Sequence, residues 1–344
     1  MKKSMFVIAV SLFLFSGLSH AQEYGEGKVI GYGTSPKFVD DTTVAFVNRN
    51  SILTLVNLRD QSSKEMGNKP ITDFRPTING FVVWDWKPSR TTIRTVSPTG
   101  TVTSEIELSK DSRTGTGFSG PVILPDGTVG YWTISDRGMS YNILQQGNLS
   151  VSEACTQWIG DIKPTNPYEP KGDIVLRRVD NSASKVILPG RYTWSRSTFF
   201  DGSQQCGFKL LVVGPGGIIT VVDTEADSNW QLGDTNSVIA VDTTINGVFY
   251  KMLLGQTMGR HASWSPNCMH IVATFQVAGI AEQEELSDII YSDIQVFSAV
   301  DRSLKIQIET PDLFETKPDI SSKGDVVCRT SKGEIRLYET GEAK

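Results

Sequence analysis

Short runs in which Val, Ile, Thr and aromatic side chains recur, each closed by Gly, Pro, Asn, Asp or Ser, punctuate the chain from Thr43 onward. They cover Thr43 to Val47, Ile52 to Asn57, Phe81 to Trp86, Thr91 to Val96, Thr128 to Thr133, Ile218 to Asp223, Ile271 to Phe275, Asp293 to Ser298, Asp325 to Arg329 and Glu334 to Tyr338. Such runs predict β-strands joined by tight turns. No long helical stripe separates them, which restricts the fold to a sandwich, a barrel, a solenoid or a propeller.

Internal repetition chooses among these. Lys317-Pro-Asp-Ile-Ser-Ser-Lys-Gly-Asp-Val-Val-Cys-Arg leads through a Ser-Lys-Gly turn into Glu-Ile-Arg-Leu-Tyr-Glu, and the phrase has earlier versions. These start at Ser35, Arg75, Gly120, Asn166 and Arg260, with a weaker copy from Ser195 through Phe200-Asp201-Gly202 to Phe208. Anchored on the place held by Pro, the copies fall at Pro36, Pro76, Pro121, Pro167, Arg196, Ala262 and Pro318, on average about 47 residues apart, which matches the span of one four-stranded propeller blade. The uneven spacing around Arg196 leaves six blades open beside seven.

Within each copy, Pro and an apolar residue end an inner strand, Asp-Gly or Lys-Gly supplies a positive-φ turn, and a Val/Ile-rich strand returns. The pattern predicts an all-β β-propeller of four-stranded antiparallel blades, with Phe38, Ile78, Ile320 and Trp264 hidden between blades. The last copy stops after its third strand, at Tyr338. Lys28-Val-Ile-Gly-Tyr, ahead of the first copy, is placed to supply the fourth and close the ring by an N-terminal strand.

His261-Ala-Ser-Trp-Ser-Pro-Asn and Pro318-Asp-Ile-Ser-Ser-Lys-Gly-Asp resemble the P-x-W-S-P-D-G repeats of TolB-like (WD40-like) propellers. The resemblance implies an exported bacterial protein. That family includes interaction propellers, peptidase-associated propellers and pectate-fragment lyases, so it specifies fold rather than function. TolB carries a separate α/β domain ahead of a six-bladed ring, whereas the repeats here begin soon after the N-terminal leader.

That leader is Lys2-Lys3 followed by an apolar run from Met5 to Leu18, too short to span a bilayer, and then Ser19-His20-Ala21 before Gln22. It reads as a signal peptide cleaved after Ala21, leaving residues 22–344 as one periplasmic or secreted domain. Cleavage removes Lys2 and Lys3 and no acid, taking the formal charge from −5 to −7. Nucleic acid is therefore a poor partner, no later stretch reaches membrane-spanning length, and a monomer is expected.

Four cysteines in an oxidising compartment allow two disulfides, among which Cys155 with Cys206 is favoured, and their spacing lacks the CxxC pairs of a zinc site. Only His261 and His270 follow the leader, which limits metal and imidazole chemistry; neither a catalytic set nor a metal or cofactor is assigned. No G-x-S-x-G elbow is present, and Val213-Gly-Pro-Gly-Gly reads as a hairpin turn. Acidic stretches such as Asp40-Asp41 and Glu282 to Glu285 keep a glycan-active lyase or hydrolase as the alternative to a non-catalytic binding module. Trp84, Trp86 and Trp264 are read as interblade packing, Trp158, Trp194 and Trp230 as surface platforms, and the loop from Ala278 to Asp288 as a partner contact.

The positions just before the anchors, Ser35, Arg75, Gly120, Asn166, Ser195, His261 and Lys317, face a common place if the copies form a ring. Arg75, Asn166, His261 and Lys317 are the candidate ligand-binding residues at the channel mouth. Positive charge there on an acidic chain favours a carboxylate-bearing ligand, an acidic protein segment or a uronic-acid polymer.

Overall fold

The computed structural model describes residues 22–23, 27–87, 89–109, 117–118, 121–124, 126–135, 138–148, 150, 158–166, 169–178, 182–193, 209–213, 219–223, 228–232, 239–245, 248–254, 258–278, 280–281, 289–309 and 315–340. The leader, Gly120, Cys155, Pro167, Trp194, Ser195, Arg196, Cys206 and the acidic stretch Glu282 to Glu285 lie outside them. The described residues form strands and turns without a helix. Every strand pair is antiparallel except one, a two-residue parallel contact of Gln22–Glu23 on Leu304–Glu309.

The sheets follow one another along the chain. Thr43–Asn48, Leu53–Asn57 and Ser63–Glu65 extend from the second half of Lys28–Asp40, and Asp73–Thr77, Gly80–Lys87, Arg90–Val96 and Val102–Ser109 form the next unit. In the third, Gly117–Phe118 and Val122–Ile123 both pair with Val129–Ser135, which pairs with Gly138–Gln145. Trp158–Asn166, Glu169–Arg178 and Ser184–Thr193 make the fourth, and Lys209–Val213, Ile219–Asp223 and Ser228–Leu232 the fifth. Met258–Trp264, His270–Ala278, Ile289–Ser298 and Leu304–Glu309 are the sixth. Glu315–Ile320, Val326–Thr330 and Glu334–Tyr338 begin the seventh, to which the first half of Lys28–Asp40 adds, with Lys28 opposite Leu337 and Tyr32 opposite Glu334.

The core lies between these units, and period-two alternation places it there. Along Thr43–Asn48, Val44 and Phe46 pack with Val327, Ile335 and Leu337 of the last unit, while Ala45 and Val47 pack on the opposite face with Phe74, Phe81 and Val83 of the second. Val82 then points away from Phe81 and Val83, toward Ile123, Val129 and Tyr131 of the third. In the sixth unit, Ile271, Ala273 and Phe275 meet Leu211, Ile219, Val221 and Leu232 of the fifth, and Val272 meets Ile320 and Val326 of the seventh. A strand buried on both faces needs apolar residues at consecutive positions, which is why these stretches read as near-continuous Val/Ile/Phe runs.

Three features depart from the sequence reading. Ile78 is 66% exposed rather than buried. Its copy is shorter, so Thr77 pairs directly with Gly80 and Ile78-Asn79 becomes a two-residue loop. In the fourth copy Lys171 and Gly172 lie inside Glu169–Arg178, and Asn166 already pairs with Glu169, so the chain reverses earlier than the Lys-Gly dipeptide suggests. Ile239–Ile245 and Val248–Leu254 form a hairpin completed by Ile280–Ala281, a sheet the strand pattern did not predict, while the fifth unit packs on the sixth.

Candidate functional site

Inner strands from five units converge on one cavity of about 480 Å³. Ser35, Lys37, Phe38 and Val39 come from the first unit, Asp73 to Ile78 from the second, and Ile123, Leu124 and Gly127 from the third. His261, Trp264 and Cys268 belong to the sixth, and Lys317 to Ile320 to the seventh. Three of the four candidate residues, Arg75, His261 and Lys317, thus line one space together with Ser35. Asn166 ends its strand opposite Glu169, and its side chain lies outside the described residues.

Residues at equivalent places in neighbouring copies touch each other. Lys317, just before one anchor, donates through Nζ to the Ser35 hydroxyl, just before the next, at 2.9 Å, and to the Thr34 hydroxyl at 3.3 Å. Just after the anchors, the Ser263 hydroxyl donates to Asp319 Oδ1 at 2.6 Å, and Lys37 Nζ to the same oxygen at 3.2 Å. The Phe38 backbone N–H occupies Asp319 Oδ2 at 2.8 Å. Asp319 is nearly buried, and these three contacts tie three strands together; sequence reasoning passed over this position, although its equivalence across copies was there to be read.

Ser35 and Lys317 hold φ angles of 54° and 52°, in the left-handed region that side chains other than Gly, Asn and Asp rarely adopt. The ladder slips at these places, between Thr34 and Lys37 and between Thr316 and Asp319. Each such residue costs about 1–2 kcal/mol, and bulges of this kind re-aim side chains. Here they bring Lys317 over the seam between the last and first units.

The electrostatics are mixed. Lys37, Arg75 and Lys317 face Asp73 and Asp319 in the lining. Burial pushes the Lys317 ammonium below the ordinary lysine range; Asp73 opposes that shift, while the nearby Arg329 and Lys37 cations reinforce it. The Arg75 guanidinium lies over the Trp84 ring at 5.8 Å, which holds its plane while leaving it at the cavity. Asp40 and Asp41 serve turns: Asp40 accepts from the Thr42 N–H and hydroxyl, and Asp41 from the Ser322 N–H at 3.0 Å.

Trp264 is buried in the seam between the fifth and sixth units, and Trp84 packs in the seam between the second and third, as interblade packing requires. Trp86 does not follow Trp84, being 40% exposed near the strand end. Trp230, read as a surface platform, packs partly buried against the fifth and sixth units with Arg302 over its ring at 5.3 Å. The Trp158 side chain and Trp194 lie outside the described residues.

Two of the four cysteines fall among the described residues. Cys268, on the cavity wall, is disulfide-bonded, and Cys328 is buried in the core. The pairing of Cys155 with Cys206 favoured from the sequence lies outside the described residues.

No family model and no curated protein sequence matches the chain. Among solved structures it is similar to the β-propeller domain of Cps50 (Swd1) from Myceliophteria thermophila, at 13% identity over 90% of this chain and 97% of that one, with a TM-score of 0.49. It is also similar to the WD40 β-propeller domain of Doa1, at 16% identity over 93% of this chain and 98% of that one, with a TM-score of 0.47.

Proposed function

We propose that this chain is a seven-unit β-propeller, closed by Lys28–Tyr32, that binds an acidic segment of a protein partner at the mouth of its axial cavity without catalysing a reaction. The observation that carries this reading is the convergence of inner strands from five units on one cavity, with Lys317 and Ser35 of adjacent copies in contact. The five described seams, in which the first unit packs on the second and the seventh, the second on the third, the fifth on the sixth and the sixth on the seventh, support the count. The leader and the TolB-like repeat phrases support export to a bacterial envelope, where the domain acts as a monomer.

A protein partner is favoured over a uronic-acid polymer by the rim. The turns joining first to second and third to fourth strands lie at one end of a four-stranded meander, and there Ile78, Met269 and Val300 are 66%, 47% and 70% exposed. Apolar side chains around a recessed cationic site suit a peptide loop better than a hydroxyl-rich chain.

The test uses poly-L-glutamate as probe and polygalacturonate as comparison, at physiological salt so that diffuse attraction is screened. Replacing Arg75 and Lys317 together by Gln is expected to weaken poly-L-glutamate binding by about 2–4 kcal/mol and leave melting unchanged or slightly raised, since Lys317 is charged in a desolvated place. Equal affinity of parent and double variant would remove the cavity from the functional account. Tighter binding of polygalacturonate would replace the protein partner by a polymer.

A further inference from the structure

The cavity is cationic at one end and apolar at the other. Two inner strands carry a cation and then run to an apolar residue: Lys317 stands three residues before Ile320, the end of its strand, and Arg75 three before Ile78, in its turn. Val39, Ile78 and Pro266 line the turn end and are exposed there. At about 3.3 Å per residue, the two cations belong to backbone about 10 Å below that rim.

Their side chains lean away from the rim. Trp84, whose ring lies under the Arg75 guanidinium at 5.8 Å, pairs opposite Asp73, farther from the turn than Arg75 itself. Lys317 Nζ donates to the hydroxyls of Ser35 and Thr34, and Thr34 pairs opposite Val47, toward the other end of the first sheet. Both acceptors are neutral, so this half-buried ammonium has no carboxylate in hydrogen-bond contact among the described residues. Of the described lining, Lys37, Arg75 and Lys317 stand against Asp73 and Asp319, and Asp319 is engaged by Lys37, Ser263 and the Phe38 N–H. One further carboxylate balances that set, and a second would be desolvated without a partner.

Depth selects the kind of carboxylate. A Glu side chain on a segment lying across the rim reaches roughly 5 Å from its Cα, short of the cations. A loop that dips far enough has to bring two strands, about 4.8 Å apart before side chains, into the same space. A chain end needs one: about three extended residues span the depth and set the terminal carboxylate beside Arg75 and Lys317, while apolar side chains pass the rim. With the cavity as the binding site, on which this rests, we infer that it receives the free C-terminal carboxylate of a partner protein whose last residues are apolar, entering end-on from the turn side.

The probes are acetyl-Gly-Ser-Leu-Ala-Leu with a free carboxyl, the same peptide as its C-terminal amide, and acetyl-Gly-Ser-Leu-Glu-Leu amide, which carries the same single charge inside the chain. In calorimetric titration of the mature chain at physiological salt, the free acid is expected to bind at least about tenfold tighter than either amide. Arg75→Gln with Lys317→Gln should bring acid and amide to the same affinity, and Ile78→Ser should weaken the acid at least about threefold. Equal binding of the acid and the internal-Glu amide would overturn end-on entry and keep the cavity as a site for acidic segments. An Ile78→Ser variant with parental affinity would overturn entry from the turn side. Binding of poly-L-glutamate but of none of the three peptides would overturn the C-terminal assignment alone, and binding of neither peptides nor poly-L-glutamate would overturn the cavity reading with it.

Discussion

Ser263 and Asp319 hold the same place in consecutive copies of the repeat, one residue after the anchor, and the hydroxyl of the first donates to the carboxylate of the second at 2.6 Å. Lys37, the same place in the next copy, approaches that carboxylate from the other side at 3.2 Å. One phrase has thus diverged into a donor, an acceptor and a cation that complete each other across three sheets.

Asp319→Ala is expected to destabilise the fold by about 2–4 kcal/mol, because it leaves a buried hydroxyl, a backbone N–H and an ammonium without their acceptor. Asp319→Asn keeps an oxygen for Ser263 and should cost less than half as much. Urea unfolding checks both. An alanine variant as stable as the parent would mean the three-strand contact adds nothing to stability.

A chain beginning at Gly33 lacks the segment that pairs with Glu334–Tyr338. Gly27 lies under the Tyr338 ring and Gly31 under Phe46, closeness that a side chain at either position would prevent. Removal bares an edge and the apolar residues beside it, so the shortened chain should melt at least about 5 °C lower and associate through its open edge. Thermal melts and sedimentation report both effects. Equal melting would show that the ring closes without this strand.

Asp325 supplies a pH signature. Burial pushes its carboxyl above the ordinary aspartate value, while the Thr340 N–H, which it accepts at 3.0 Å, pulls the other way. A raised folded value means the protonated form is favoured on folding, so this stabilisation is complete below about pH 4 and is lost as pH rises through the folded value. Asp325→Asn keeps the acceptor and removes the charge. It should melt about 1–3 °C above the parent at pH 7, with the difference vanishing near pH 3. A variant less stable than the parent at pH 7 would show that the carboxylate gains more from its partners than it loses by burial.

The strands were legible because their β-branched runs are unmistakable, and Gly127 and Gly324 marked their turns. The pairing of Lys28–Tyr32 with Glu334–Leu337 could be read from a truncated last copy and a spare strand before the first. Other features were hidden for a common reason: a period-two pattern tells which face a residue takes, not which sheet lies against it. Sequence alone therefore left open that Ile239–Ile245 and Val248–Leu254 pair with Ile280–Ala281. Arg75, His261 and Lys317 shared a place in the phrase and so could be grouped; Lys37 and Asp319 lay two residues further on, where no charge pattern repeats.

The strand Lys28–Asp40 also sets an order of events. Its partner Glu334–Tyr338 is synthesised long after it. Lys317 and Ser35, which meet over that seam, are 282 positions apart. Closing so long a loop is entropically slow, and local sheets can form well before it. Until the C-terminal strands arrive, the first unit waits with an unpaired edge and the apolar face of Val44 and Phe46 uncovered. Pairing of Lys28–Tyr32 with Glu334–Leu337 thus ends an interval in which that edge is open to misassembly and proteolysis.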